Sequence, residues 1–250
     1  MTRWTTKPLA GGSGAQALAD LQASTPARIG IGRAGARPST EAWLAFRRDH
    51  ALAKDAVKGE FSQAFLQRMK HAGYPIIQSA APDKPGFILK PPDGKRTSSA
   101  NIDILRRTCA HDCDVQILIS DGLSANAVEN NIDDVLPMII DGLQLEGFSC
   151  GTPVVARFAR VAIADQITHA LGAKMAINLI GERPGLSASD SMSAYLTFAA
   201  GPDTISSDRT VVSNIHTRGT LPVEAGAYIV QLAKRILQLK VSGVKLQQIS

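Results

Sequence analysis

Lys174-Met-Ala-Ile-Asn-Leu-Ile-Gly-Glu-Arg-Pro-Gly185 is the stretch on which the fold of this chain turns. Met175 to Ile180 form an apolar run of strand length, which empties into a loop bounded by Gly181 and Gly185 and stiffened by Pro184. Ligands of α/β proteins sit where such strands end, so Glu182 and Arg183 are offered to something at the edge of a sheet. Taken alone, two adjacent opposite charges in a loop read as a solvated salt bridge.

Working outward, residues 163–171 have helical spacing and stop at Gly172, and residues 154–161 read as a strand. Before them, residues 125–146 are mainly helical, and residues 115–120 form another apolar run. Strands alternating with helices predict an α/β fold, a mainly parallel, Rossmann-like sheet flanked by helices on both faces. Two further strands, 193–198 and 210–215, follow with no helix between them, which predicts an antiparallel edge or a long excursion. The last helix spans 222–241, with Pro222 in its first turn, Glu224 near its positive end and Lys234, Arg235 and Lys240 near its negative end.

The N-terminal part differs. Residues 1–26 read as a mobile tail with a short helix at 15–22. A smaller helical region follows, with one helix from Ser39 or Thr40 to Lys58 and another at 61–71, stopped by Gly73. Residues 79–99 hold Pro82, Pro85, Pro91 and Pro92 and are expected to form an extended connector or short hairpin, with 101–107 helical after it. The expected division is therefore a tail (1–26), a helical, partner-contacting region (27–110) and an α/β domain (111–250).

Composition narrows the function. At 250 residues and 44% hydrophobic, the chain can bury a sizeable core. Apolar runs are broken by Asp, Arg or Gly well short of a membrane span, and no apolar segment follows the basic N-terminus as a secretory signal requires. Three cysteines form an odd set, which fits a reducing compartment better than a disulfide framework. A cytoplasmic location follows. A net charge of +5 suits anions, but 5% aromatic content without basic runs interleaved with aromatics points away from nucleic acid.

Several motifs have chemical readings. Gly30-Ile-Gly32-Arg-Ala-Gly35 matches a dinucleotide-binding pattern, yet no apolar strand precedes it and Pro38 separates it from the next helix. Cys109-Ala-His111-Asp-Cys113 offers two thiols and an imidazole but no fourth ligand for a structural zinc. Asp121 and Ser124 read as a turn-ordering residue and a helix cap, because the elbow of a serine hydrolase is absent. His216 suits either a turn cap or a ligand contact. Arg160-Val161, Gly181-Glu182 and Val211-Val212 all fall at or near strand ends, where one ligand could touch all of them.

Read in order, Ile119-Ser-Asp-Gly-Leu-Ser124, Arg160-Val-Ala-Ile-Ala-Asp-Gln166, Leu171-Gly-Ala-Lys174, Gly181-Glu-Arg-Pro-Gly-Leu186 and Asp208-Arg-Thr-Val-Val-Ser-Asn-Ile-His216 resemble the small subunit of ethanolamine ammonia-lyase. The resemblance runs from about Arg28 to Gly243 and includes Gly32-Arg-Ala-Gly-Ala-Arg-Pro38. It implies a subunit of an adenosylcobalamin-dependent lyase that converts ethanolamine to acetaldehyde and ammonia by a radical route. A separate large subunit holds the small-molecule substrate, and the hetero-oligomer is cytoplasmic or enclosed in a bacterial microcompartment. By matching motifs, the resemblance implies cobalamin contacts at Val161, Glu182 and Val211, with no catalytic residue and no metal ligand on this chain. Some relatives have cysteine where Val211 stands, so contact there is expected through backbone or bulk. Two other readings compete: a nicotinamide- or nucleotide-binding oxidoreductase acting alone, and a pure assembly protein.

Overall fold

The computed structural model describes residues 13–25 and 27–249, so half of the expected N-terminal tail, residues 1–12 and 26, lies outside the described residues. Chain contacts divide the protein into two compact units, one of residues 1–55 with 185–189, the other of residues 56–184 with 190–250.

The first unit is helical, with α1 at Ser13–Ser24 and most of α2, Thr40–Lys58. Ser39 accepts a hydrogen bond from the Ala42 N–H at 3.2 Å, as a residue capping α2 should. On α2, the rings of Trp43 and Phe46 stack 5.9 Å apart, and Phe46 stacks on His50 at 6.3 Å. Arg28 pairs with Asp49 and donates to the Leu186 carbonyl at 3.2 Å. Gly30, Gly32 and Gly35 all take positive φ in the bend before α2.

The second unit holds a six-stranded sheet in the order β1-β3-β2-β4-β5-β6. The strands are β1 (Ile76–Gln78), β2 (Val115–Ser120), β3 (Val154–Arg157), β4 (Met175–Gly181), β5 (Met192–Phe198) and β6 (Arg209–Ile215). The first four run parallel, β5 adds antiparallel to β4, and β6 adds antiparallel to β5. The fold is thus α/β with a mixed sheet, and the missing helix between the last two strands has the antiparallel consequence that the sequence suggests.

Helices cover both faces. In β2, Val115, Ile117 and Ile119 join a core with α3 (Gln63–His71), α6 (Ala125–Leu145) and α8 (Pro222–Leu239). Leu118 points the other way, into a core with α5 (Ser99–Thr108) and α7 (Ile163–Leu171). This explains why β2 and β4 are apolar without alternation: both of their faces are buried.

The structure and the sequence reading differ in detail. The proline-rich segment 79–99 is not extended throughout; α4 spans Lys84–Leu89 and a 3-10 turn spans Pro91–Lys95. Pro85 lies in the first turn of α4, where a proline sacrifices no helical hydrogen bond, and the Asp83 side chain accepts from the Gly86 N–H at 2.7 Å. Strand β3 stops at Arg157 rather than at 161, because Phe158 turns to a φ of 52°. The three-residue β1 has no counterpart among the expected strands. A short final helix, α9 (Val244–Gln248), follows the last expected one.

Candidate functional site

The carboxyl ends of β2, β3 and β4 meet at one edge of the sheet, since Ser120 is in register with both Ala156 and Ile180. Three loops leave there, and buried polar groups bind them to one another. The Asp121 carboxylate, 1% exposed, accepts the N–H groups of Phe158 (2.8 Å) and Ala159 (2.9 Å), tying the loop after β2 to the loop after β3. The buried Lys84 ammonium donates to the Gly122 carbonyl at 3.1 Å and lies 4.0 Å from Asp121. Burial pushes the Lys84 pKa down and that of Asp121 up, each opposed by the charge of the other.

The loop after β2 also closes on β4, where Leu123 N–H donates to the Gly181 carbonyl at 3.1 Å. A Cβ on Gly122 would stand 2.2 Å from that oxygen, and one on Gly181 would stand 2.0 Å from the Ser124 carbonyl. Neither position admits a side chain. Ser124 accepts from Ala127 N–H and caps α6, as the sequence suggests.

The turn at 160–162, between β3 and α7, is held from two sides. From inside the sheet, Ser120 donates to Asn178 Oδ1 at 2.8 Å, and Asn178 Nδ2 donates to the Val161 carbonyl at 3.2 Å. From outside, Arg160 N–H donates to the Gly94 carbonyl at 2.7 Å. The Arg160 guanidinium lies 4.3 Å from the centre of the Phe87 ring, an arrangement that favours the cation electrostatically, and Nη2 donates to the Phe87 carbonyl at 3.3 Å. Its Nε is buried without a hydrogen-bond partner among the described residues.

Glu182 leaves β4 and turns toward β5 and β6. Its carboxylate accepts from the Ser191 hydroxyl at 2.7 Å, from the Ser193 hydroxyl, and from the Asn214 N–H at 2.9 Å. The salt bridge with Arg183 that the loop taken alone would suggest is not present among the described residues; the carboxylate is taken up as a brace between three strands. On β6, Val211 lies opposite Tyr195 of β5 and is 45% exposed.

Together these segments enclose a cleft of about 410 Å³. Val161, Glu182 and Val211 all line it, so three positions far apart in the chain come to one place. Its walls combine apolar side chains (Leu123, Val161, Ile180, Val211) with the donors Arg160, Arg183, Ser213 and Tyr195. Burial, with a contribution from Glu182, raises the Tyr195 pKa. Sequence reasoning reaches Arg160 only through its neighbour and misses Tyr195 and Ser213, because a polar residue within a strand looks the same whether or not it walls a cleft. Asn178 does leave a signal, as the one polar residue in an apolar strand.

Other candidate residues are engaged elsewhere. His216 is buried and caps its turn: Nε2 donates to Asn214 Oδ1 at 2.9 Å, and Nδ1 accepts from Arg218 N–H at 3.2 Å. His111 Nε2 is hydrogen-bonded to the Arg106 carbonyl at 2.7 Å. No group of three or more His, Cys, Asp or Glu among the described residues could hold a metal ion. No helix among them is long and apolar enough to cross a membrane.

The model of the family described as ethanolamine ammonia-lyase light chain (EutC) matches residues 15–247. The chain belongs to this family.

Proposed function

We propose that this light chain of ethanolamine ammonia-lyase uses the cleft at 161, 182 and 211 to hold part of adenosylcobalamin against the heavy chain. Membership makes the chain an ammonia-lyase subunit with a heavy-chain partner. The observation that carries the cofactor reading is the convergence of Val161, Glu182 and Val211 on one cleft.

The side chains present fit a corrinoid. Such a ligand is a broad apolar disc with a rim of amides and an anionic tail, and the cleft sets apolar walls beside arginine, serine and tyrosine donors. Its volume of about 410 Å³ falls at the low end of the range for drug-sized ligands, and a corrinoid is much larger. The cleft therefore takes a portion of the cofactor, and the heavy chain covers the remainder.

When bound, adenosylcobalamin supplies the radical chemistry that turns ethanolamine into acetaldehyde and ammonia; the protein supplies position. On this chain, positioning starts at the sheet. Asn178 fixes the Val161 carbonyl, Glu182 fixes the spacing of β4, β5 and β6, and the Lys84–Asp121 pair fixes the loop carrying Gly122. The parallel strands β1–β4 form the Rossmann-like part, and β5 and β6 extend the sheet to bring Val211 alongside.

Val211→Glu tests the assignment. Val211 is half-exposed, so the fold should tolerate the change, whereas a carboxylate facing an apolar ligand loses hydration on binding. The affinity of the reconstituted complex for adenosylcobalamin, followed by absorbance, should fall at least about tenfold, equal to about 1.4 kcal/mol. Unchanged affinity would remove Val211, and with it this cleft, from the cofactor site.

A further inference from the structure

Arg160 and Arg183 line the same cleft, and among the described residues neither forms a salt bridge. They lie close enough for each charge to act on the other. Burial first, and then the Arg183 charge, draw the Arg160 guanidinium below its ordinary pKa, against an opposing pull from Asp121. The nearest acidic side chains leave this charge unmatched: Asp121 is committed to Lys84 and two backbone N–H groups, and Glu182 to Ser191, Ser193 and Asn214.

The two arginines are prepared differently. Arg160 is pre-ordered by the Phe87 ring and carbonyl, with Gly94 packed so closely that a Cβ there would stand 2.8 Å from Arg160 Cγ. Arg183 is exposed in the loop after Glu182, and no ring or carbonyl is seen to hold its guanidinium among the described residues. A fixed guanidinium beside a movable one suits an oxyanion, because planar N–H forks meet phosphate oxygens in pairs and the anion relieves the repulsion between the cations.

We propose that Arg160 and Arg183 form the subsite for the phosphodiester in the nucleotide tail of the cofactor. The assignment rests on the cobalamin reading above and deepens it: these residues grip the tail, leaving the corrin disc to the apolar wall of Val161 and Val211.

The test compares three ligands with the complex of this chain and its heavy chain, following binding by absorbance. Adenosylcobalamin and adenosylcobinamide phosphate carry the phosphate, whereas adenosylcobinamide lacks both phosphate and base. Arg183→Gln should weaken the two phosphate-bearing ligands roughly 10- to 100-fold, as expected for losing a charge-assisted hydrogen bond, and leave adenosylcobinamide within about twofold of wild type. Arg160→Gln should act in the same direction; it also loses the Phe87 contact, so if it does not assemble, Arg183→Gln decides. Equal weakening of all three ligands, or of none, overturns the subsite. Failure of the Arg183→Gln chain to join the heavy chain also overturns it, because the arginine would then be meeting a partner carboxylate. In each of those cases, a weakened Val211→Glu complex keeps the cofactor reading intact, whereas a wild-type complex that binds no corrinoid ends both.

Discussion

Replacing Glu182 by alanine, and separately by glutamine, separates its role as a brace from that of a loop charge. The carboxylate receives three donors, two of them hydroxyls on buried residues, Ser191 at 7% and Ser193 at 2% exposure. Alanine strands all three. Asn214 is exposed, so its N–H regains water, and the loss falls mainly on the two hydroxyls. Hydrogen bonds to a charged acceptor contribute about 1.5–3 kcal/mol each, so the lower figure taken twice gives a destabilisation of about 3 kcal/mol. Glutamine has the same shape. Its amide oxygen can keep Asn214 and Ser193, while the Ser191 hydroxyl turns to accept from its nitrogen, so only charge assistance is lost, about 1 kcal/mol. Denaturant unfolding of the full-length chain measures both effects, as changes in midpoint at constant slope. If glutamine destabilises as much as alanine, or if alanine stays within about 0.5 kcal/mol of wild type, the carboxylate is a solvated bystander and the reasoning fails.

Gly122→Ala should lower stability by about 3 kcal/mol, combining a left-handed φ with overpacking against the Gly181 carbonyl, whereas Gly147→Ala, also at positive φ but with open space around it, should lose only about 1 kcal/mol. Thermal unfolding of both variants checks the contrast, and equal losses would mean that the loop after β2 can move away from β4. Burial pushes Asp165 up to about 6 against the pull of its partner Arg209. Its folded form therefore binds a proton more tightly than the unfolded chain, for which 3.8 is the ordinary value, so its contribution to stability falls as pH rises from about 4 to about 6 and is flat above. The stability difference between wild type and Asp165→Asn should change across this window by at most about 3 kcal/mol, since each pH unit between the two values contributes up to about 1.36 kcal/mol before solvent screening reduces it. A pH-independent difference would refute it.

Much of the fold is legible in the sequence because the signals are local. The doubly buried strands β2 and β4 are mostly apolar runs, and Ser124 and Gly172 cap α6 and α7 as short-range stereochemistry requires. Where tertiary packing decides, the sequence is less informative. β1 is too short to show a period, β3 ends at the φ of Phe158, and α4 forms within a proline-rich segment whose prolines happen to suit first turns. The cleft is legible through the strand ends near which 160–161, 181–182 and 211–212 fall, and through a family resemblance that joins three distant positions. Nothing local distinguishes Lys84, buried at 2% exposure, from a solvated lysine, and no local pattern assigns the carboxylate of Glu182 to Ser191, Ser193 and Asn214 rather than to the neighbouring Arg183.

The Glu182 N–H also donates to the Ser191 carbonyl at 3.0 Å, so the excursion through residues 183–190 begins and ends at a clamped neck. Beyond Arg183, residues can then be inserted into or deleted from the excursion without the change propagating into the sheet. Evolution can remodel this part of the loop while Arg183, the Glu182 carboxylate and the strands it joins keep their places.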